Sequence, residues 1–386
     1  MNLYEYEGKD LFDHYGITTP KRAVLMRGES GSDAFKSLGL SKVVAKIQIL
    51  SGKRGKNGGI AFCESAEEAE STVNTFFKQS ILNQHTAAVI LEEFLPIKEE
   101  RYLSITYNTT TKQPMLIYSI SGGMDIEEVP KDQIMMLNLD IRETPDFSSL
   151  GDVAETADKL WSCFLGADAR QVEINPLIIT EDDRIIAADA KVALDDDAFF
   201  RHDEWQSYPE RTMMGRPPTQ REVAVKAIDE GEGYYRGTAG KYIELEGTVA
   251  VLFSGGGASI SNMDALDQVG LSPSNYTEYS GNPPREKVAA LTEIVLSKPG
   301  IQGLWIAGGV ANFTNIRDTF HGIIDALDKV KPTYPIVVRR AGPFEKEGMQ
   351  LIQECAKRNN LTMKLFGKEV SMTDTAKELA EMINQN

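Results

Sequence analysis

The apolar and polar positions of this chain follow two rhythms. Toward the N-terminus, Tyr4, Leu11, Phe12 and Tyr15 share one face of a helix predicted over residues 3–15, which Gly16 can end. Residues 17–20 read as an extended exit. Residues 43–49 predict a strand that carries Lys46 among apolar neighbours. A glycine-rich loop follows over 51–59, then another short strand. A helix over 66–79 precedes an apolar strand over 87–91 that ends in Glu92-Glu93-Phe94. Residues 101–107 and 114–120 alternate like antiparallel partners, with a second glycine turn over 121–129. A helix over 150–165 leads to a predicted hairpin: strand 171–179, turn 181–183, strand 184–191.

Residues 195–245 break this rhythm. They are polar and irregular, with Gly215, Pro217, Pro218, Gly231, Gly233, Gly237 and Gly240. They place the main boundary near 246, giving domains 1–245 and 246–386. Beyond it the pattern is regular. Strands over 248–253, 276–279, 302–307, 336–338 and 362–366 each give way to helical spacing, and five βα units predict a doubly wound parallel sheet. The sharpest stretch is 304–327. A buried strand over 304–307 meets Gly308 and Gly309, which read as a tight turn. Polar positions follow, then Ile316, Phe320, Ile323, Ile324 and Leu327 on one helical face.

Composition narrows the function classes. The 386 residues and 41% hydrophobic content suit two or three domains with ample core. Lys plus Arg is 41 against 57 for Asp plus Glu, a net charge of −16. Such a chain is a poor nucleic-acid or membrane-surface binder, so any anionic ligand needs local devices. No apolar run has the length of a membrane span, and the acidic N-terminus fits neither a secretory signal nor a transit peptide. Cys63, Cys163 and Cys355 are scattered without a CxxC, which suits a reducing cytoplasm. His14, His85, His202 and His321 lack metal-ligand spacing and fit structural or solvated roles.

Three patterns carry candidate chemistry. The glycines of 51–59 let backbone approach a phosphate, and Lys53, Arg54 and Lys56 supply positive charge. A solvated hairpin tip has the same composition, but Lys46 inside an apolar strand is costly without a partner and favours an anion site. The spacing is neither a Walker A loop nor GxGxxG. Glu92-Glu93-Phe94 reads either as a hinge for a nucleotide base or as an acidic strand end. In the predicted hairpin Glu173 and Asn175 point to one side and Asp189 can lie beside them, a group of hard oxygens suited to Mg²⁺ carrying nucleotide phosphates. In the second half the polar loops 254–259, 280–281, 308–314 and 339–340 all fall at carboxyl ends of strands, where such sheets bind ligands. Two of them begin helices, whose first N–H groups favour an anion. The convergence points to a small polyanionic ligand.

At this point the residues resemble a known family over essentially the whole chain. Met1-Asn2-Leu3-Tyr4-Glu5-Tyr6, Lys46 with residues 52–59, Glu173-Ile174-Asn175-Pro176 and Asp189-Ala190-Lys191 resemble the ATP-grasp domain of the acyl-CoA synthetase (NDP-forming) superfamily, as in succinyl-CoA synthetase β subunits. The C-terminal half is similar to the flavodoxin-like CoA-ligase domain of those subunits. Its ligand loops are similar to the citrate-binding half of ATP-citrate lyase: Gly255-Gly256-Gly257-Ala258-Ser259, Glu278-Tyr279-Ser280-Gly281, Ala311-Asn312-Phe313-Thr314-Asn315 and Val338-Arg339-Arg340-Ala341-Gly342-Pro343. Leu365-Phe366-Gly367 before Met372-Thr373 fits as well. In the succinate enzyme a different, Arg-containing triplet stands where this chain has Asn312-Phe313-Thr314.

The resemblance implies residue roles. Lys46, Lys53, Arg54 and Gly55 would hold phosphates, and Glu92 and Glu100 would contact the nucleoside. Asn175 and Asp189 would hold Mg²⁺, and Glu173 would steady a visiting phosphohistidine. Asn312, Thr314, Ser280 and Arg340 would contact citrate, with Gly257 and the backbone near Gly281 and Phe313 completing the cradle. The implied reaction phosphorylates a histidine from ATP, passes the phosphoryl to citrate, forms citryl-CoA from CoA, and releases acetyl-CoA and oxaloacetate. None of the four histidines here lies in a matching motif. The resemblance therefore places the histidine, the CoA site and the citrate synthase-like lyase domain on a partner α subunit, and implies that this chain alone does not turn over. Within the same class, a citryl-CoA synthetase subunit and a succinyl- or malate-CoA ligase β subunit are the rivals. A non-catalytic nucleotide-sensing scaffold is the reading from another class, against which the presence of Lys46, Asn175 and Asp189 speaks.

Overall fold

The computed structural model describes residues 1–386 except 51–53, 82–83, 210, 212–215, 217, 231–235 and 386. Its contacts divide the chain into two units, Met1–Pro217 and Pro218–Asn386. The first runs α1 (Glu5–His14), β1 (Arg22–Leu25), α2 (Gly31–Leu38), β2 (Val43–Gln48), β3 (Ile60–Cys63), α3 (Ala66–Phe76), β4 (Ser80–Ile81), β5 (Gln84–His85), β6 (Ala88–Glu93), β7 (Ile97–Asn108), β8 (Gln113–Ser119), β9 (Ile134–Asn138), α4 (Ala154–Gly166), β10 (Ala169–Thr180), β11 (Ile185–Ala187) and β12 (Lys191–Leu194). The second runs α5 (Gln220–Lys226), β13 (Thr238–Glu244), β14 (Val249–Ser254), α6 (Gly256–Gln268), β15 (Asn275–Ser280), α7 (Arg285–Leu296), β16 (Gly303–Val310), α8 (Ile316–Val330), β17 (Ile336–Ala341), α9 (Glu345–Arg358), β18 (Met363–Phe366) and α10 (Thr375–Asn384).

Among the described residues unit 1 holds two large antiparallel sheets and the short pair β4-β5. The first has strand order β1-β6-β2-β3. Its apolar face (Val43, Ala45, Ile47, Val89, Leu91) is covered by Leu38 of α2 and by Ala69, Val73 and Phe76 of α3. The second has order β11-β10-β7-β8-β9. Leu103, Ile105, Val172 and Ile174 pack there against Leu160, Trp161 and Phe164 of α4 and Phe12 of α1. The expected hairpin after residue 179 forms at the turn Thr180–Arg184, but its return strand is broken. β11 pairs with the second half of β10 and β12 with the first half. Asp189 falls in the break between them.

In unit 2 the five predicted parallel strands are present in the order β15-β14-β16-β17-β18. Alternate residues face opposite layers. Ala250, Leu252, Leu304 and Ile306 meet α7, α8 and α9, whereas Val249, Val251, Phe253 and Trp305 meet α6 and α10. This alternation of buried faces is what a doubly wound parallel sheet requires.

The division lies at 217/218 rather than near 246. The described residues of 195–245 are also less irregular than expected. β13 joins the second sheet as an antiparallel edge, pairing Lys241 with Glu278 and Glu244 with Asn275. Thr219 and Glu222 form a capping box that starts α5, with Thr219 N donating to Glu222 Oε2 at 2.7 Å and Glu222 N to Thr219 Oγ1 at 3.2 Å. Arg221 then donates to both oxygens of Glu244. These pairings tie α5 and β13 to the C-terminal core. Among the described residues no helix is long and apolar enough to cross a membrane. All three cysteines are free and buried.

Candidate functional site

A cleft of about 990 Å³ opens in unit 1. It is lined by ends of β2, β6, β7 and β10 and by the loops at 54–56, 123–128 and 188–191. Lys46, Arg54, Gly55, Glu92, Glu100, Glu173, Asn175 and Asp189 all line it, so the fold gathers residues that lie more than 140 positions apart. Lys53 lies outside the described residues.

Lys46 is not alone in its strand. Its Nζ meets Glu5 Oε1 at 3.1 Å, pairs closely with Glu92 and donates to the Ala188 carbonyl at 2.9 Å. Glu5, on the first turn of α1, is the hub: it also takes Lys9 at 2.7 Å and pairs closely with Arg54. Lys9 in turn reaches Glu92 at 2.5 Å. Burial would raise the Glu5 carboxyl, but Arg54, Lys46 and Lys9 hold it well below the usual carboxylate range. Burial would likewise lower Lys46, and its carboxylate neighbours outweigh that and keep it charged. The sequence carried no sign of Glu5 or Lys9 as partners, because the contact joins α1 to strands that follow much later.

Two of the expected site residues already have protein partners. Glu92 is 2% exposed and both its oxygens are taken by Lys9 and Lys46. It therefore holds Lys46 in the wall of the cleft. Asn175 holds the second glycine turn: Gly123 N donates to its Oδ1 at 2.8 Å and its Nδ2 donates to the Met124 carbonyl at 2.9 Å. Gly122 lies flat on β7, where a β-carbon would come within 2.3 Å of the Arg101 carbonyl. Glu100 stands beside this turn, its carboxyl raised by burial. Glu173 Oε2 accepts from Gln171 Nε2 at 2.9 Å and from the Tyr102 hydroxyl at 3.2 Å. Asp189 does not pair across a hairpin; its two oxygens accept from Arg54 Nη2 at 3.0 and 3.1 Å.

Unit 2 presents a second polar site at the carboxyl edge of its sheet. Arg340, the penultimate residue of β17, is 1% exposed, with its guanidinium 5.7 Å from the Tyr279 ring centre. Its Nε and Nη2 have no hydrogen-bond partner among the described residues, and neither has the buried Tyr279 hydroxyl. Burial raises the Tyr279 hydroxyl, against the opposing pull of Arg340. Arg339 differs, donating to the carbonyls of Gly308 at 2.8 Å and Val370 at 2.9 Å. An unpaired buried cation is unfavourable unless an anion joins it.

The stretch Gly308-Gly309 is strand rather than turn, because β16 continues to Val310. Gly308 has no positive φ. Its lack of a side chain makes room instead: a β-carbon there would lie 2.0 Å from Arg340 Nη1. Loop 311–315 is pinned on both sides, with Ala311 N donating to Ala341 O and Asn315 N to Asn282 Oδ1, each at 2.9 Å. Within it Thr314 is buried, while Asn312 and Phe313 are exposed. Asn315 caps α8, accepting from Asp318 N at 3.2 Å. α6 has no such cap. It starts at Gly255 (φ +91°) with no side-chain cap and no acid in its first turn, leaving the N–H groups around Gly257 open to an anion. Ser280 pairs with Thr238, and Gly281 (φ +71°) turns against Gly237, so β13 supports a loop the sequence reading left unsupported.

Comparison with known proteins matches this division of labour. Residues 2–179 match the ATP-grasp domain family, and residues 216–381 match the ATP citrate lyase citrate-binding family. The chain is 31% identical to the succinate–CoA ligase [ADP-forming] β subunit of Rubrobacter xylanophilus, over 99% of this chain and 98% of that protein. It is 31% identical to the same-named subunit of Methanocaldococcus jannaschii, over 99% of this chain and all of that one. Among solved structures it resembles the ATP citrate lyase of Methanothrix soehngenii in complex with citrate and coenzyme A, with a TM-score of 0.77 and 26% identity over 98% of this chain and 99% of that chain. With an ATP-grasp domain followed by a parallel-sheet domain, and with relatives matched over nearly their whole length, the chain belongs to the family of succinate–CoA ligase β subunits.

Proposed function

We propose that this chain is the ATP- and citrate-binding subunit of an ATP citrate lyase. The observation that carries this reading is Arg340: a buried guanidinium with two unpaired nitrogens, in the domain that matches the citrate-binding family. Citrate has three carboxylates and a hydroxyl, and suits a pocket offering Arg340, the Thr314 and Ser280 hydroxyls, the Asn312 amide and backbone N–H groups near Gly257, Gly281 and Phe313. The buried donors among these, Arg340 and Thr314, discriminate strongly, because the wrong ligand leaves them unpaired.

In unit 1, Lys46, Arg54 and the backbone at Gly55 would cradle the phosphates of ATP. Asn175 and Asp189 offer an amide oxygen and a carboxylate on one cleft wall, a hard donor set that fits Mg²⁺. Asp189 already bears one cation, Arg54, so its position is built for positive charge. When bound, the metal would neutralise developing phosphate charge. Glu173, steadied by Tyr102 and Gln171, would receive the phosphorylated histidine of a partner α subunit, which would also bring the CoA site and the lyase domain.

A second reading, a succinate–CoA ligase β subunit, is favoured by the 31% identity to the curated relatives. Calorimetry on the purified chain separates the two. Citrate binding without succinate binding supports the lyase reading, and the reverse overturns it. Co-expression with the candidate partner then tests turnover, with oxaloacetate release followed through malate dehydrogenase and NADH. Thioester formation without oxaloacetate would move the assignment to a citryl-CoA synthetase. Failure to bind Mg²⁺–ATP would favour a non-catalytic scaffold.

A further inference from the structure

Arg54 is held at two ends by unlike partners. Nη1 bonds Glu5, which is 3% exposed and further fixed by Lys9 at 2.7 Å and Lys46 at 3.1 Å. Nη2 bonds both oxygens of Asp189, at 3.0 and 3.1 Å. Asp189 is less constrained: it sits in the break between β11 and β12, about a third exposed, with one further bond from Ala190 N at 2.7 Å. One end of the guanidinium is therefore anchored and the other rests on an exchangeable partner. The Asp189 oxygens are also those that a divalent cation would take. A guanidinium nitrogen spanning both oxygens and a cation bound to them are competing claims on one carboxylate.

The charge of the cleft gives this competition a consequence. Nine carboxylates line it against four Lys and Arg side chains among the described residues. Lys46 and Arg54, the two deepest, are each engaged by carboxylates. A polyphosphate entering without a metal meets a wall of net negative charge, and its strongest cation is committed to Asp189.

We propose that Arg54 couples the divalent cation to the nucleotide. Pivoting on Glu5, it leaves Asp189 for a phosphate oxygen only when a cation takes the Asp189 carboxylate, so that metal and nucleoside triphosphate bind as one unit. The proposal rests on the reading of this cleft as a nucleotide site. It makes Asp189 a brake on metal-free binding as well as a metal ligand. An ordinary metal ligand, when removed, weakens Mg²⁺–nucleotide binding and leaves metal-free binding unchanged.

The test is calorimetry of the full chain with ATP in excess chelator and with Mg²⁺–ATP. Asp189→Asn is expected to tighten metal-free ATP binding about tenfold relative to wild type, while weakening Mg²⁺–ATP. Adding Arg54→Ala in the Asp189→Asn background should erase the gain. Asp189→Ser serves as a second variant should the first fold poorly, with thermal melts reporting folding. If wild type binds Mg²⁺–ATP but neither Asp189 variant gains metal-free affinity, or if the gain survives Arg54→Ala, the coupling is overturned. If wild type does not bind Mg²⁺–ATP, the nucleotide reading falls and the coupling with it.

Discussion

A β-carbon placed on Gly308 would come within 2.0 Å of Nη1 of Arg340. The two residues lie on neighbouring parallel strands, β16 and β17, whose register pairs Ala307 with Arg339 and so sets Gly308 beside Arg340. Gly308→Ala is expected to displace the guanidinium and raise the citrate KM about tenfold or more, because small misplacements of a binding group cost heavily. ATP binding should be unchanged. Citrate kinetics of the reconstituted enzyme, with ATP calorimetry alongside, check this. An unaltered KM would mean that the guanidinium position is immaterial.

Removing the charge should separate stability from binding. Arg340 is buried with two unpaired nitrogens, so Arg340→Met exchanges an uncompensated cation for an apolar side chain. Its thermal midpoint is expected to rise by about 2–4 °C. Citrate, which should stabilise the wild type, should no longer shift it. Scanning fluorimetry with and without citrate reads both effects. A fall in midpoint would show that the guanidinium is a structural strut.

Loop 311–315 is the expected discriminator between citrate and smaller acids. Asn312→Ala and Thr314→Val each remove one polar group, and each is expected to raise the citrate KM about tenfold. Thr314→Val keeps the side-chain volume of a buried position, so its effect isolates the hydroxyl. Wild-type citrate kinetics in both variants would return this loop to an ordinary strand–helix connection.

His202 predicts a pH dependence in unit 1. Its Nε2 meets Asp168 Oδ2 and its Nδ1 meets Glu204 Oε1, both at 2.7 Å, with the ring stacked on Trp205. Arg201 shares the Asp168 carboxylate. Burial would lower the His202 pKa, but the two carboxylates outweigh it and raise it. A raised folded pKa stabilises the charged form. The contribution is therefore complete below about pH 6.5, the unfolded value, and is lost as pH rises through the folded value. Urea midpoints measured from about pH 6 upward should fall more steeply for wild type than for His202→Gln. Parallel profiles would dismiss the His202 contribution.

The sequence was sufficient where a signal is local or periodic. The apolar alternation of β14 and β16, and the face of α8 carried by Ile316, Phe320, Ile323 and Leu327, are fixed by the spacing of side chains around a strand or helix. So is the placement of polar loops at the carboxyl ends of the parallel strands, since that follows from strand direction alone. The boundary was misread because turn-rich residues also introduce β13, whose partner lies about 35 residues further on.

Tertiary structure decided which members of each motif have protein partners and which are left without them. Sequence marked Arg339-Arg340 as one unit, but alternation along β17 sends Arg339 to the Gly308 and Val370 carbonyls and leaves Arg340 unpaired. Sequence marked Lys46 and Glu92 as separate signals, whereas α1 brings Glu5 and Lys9 to them and closes a buried ion-pair network. Sequence marked Gly308 as a turn, and packing shows it as the space an arginine occupies. Local propensity depends on a few neighbouring residues, which the sequence displays. The charge balance of a buried group depends on every residue the fold brings within a few ångströms, and for these residues those partners lie up to 142 positions away.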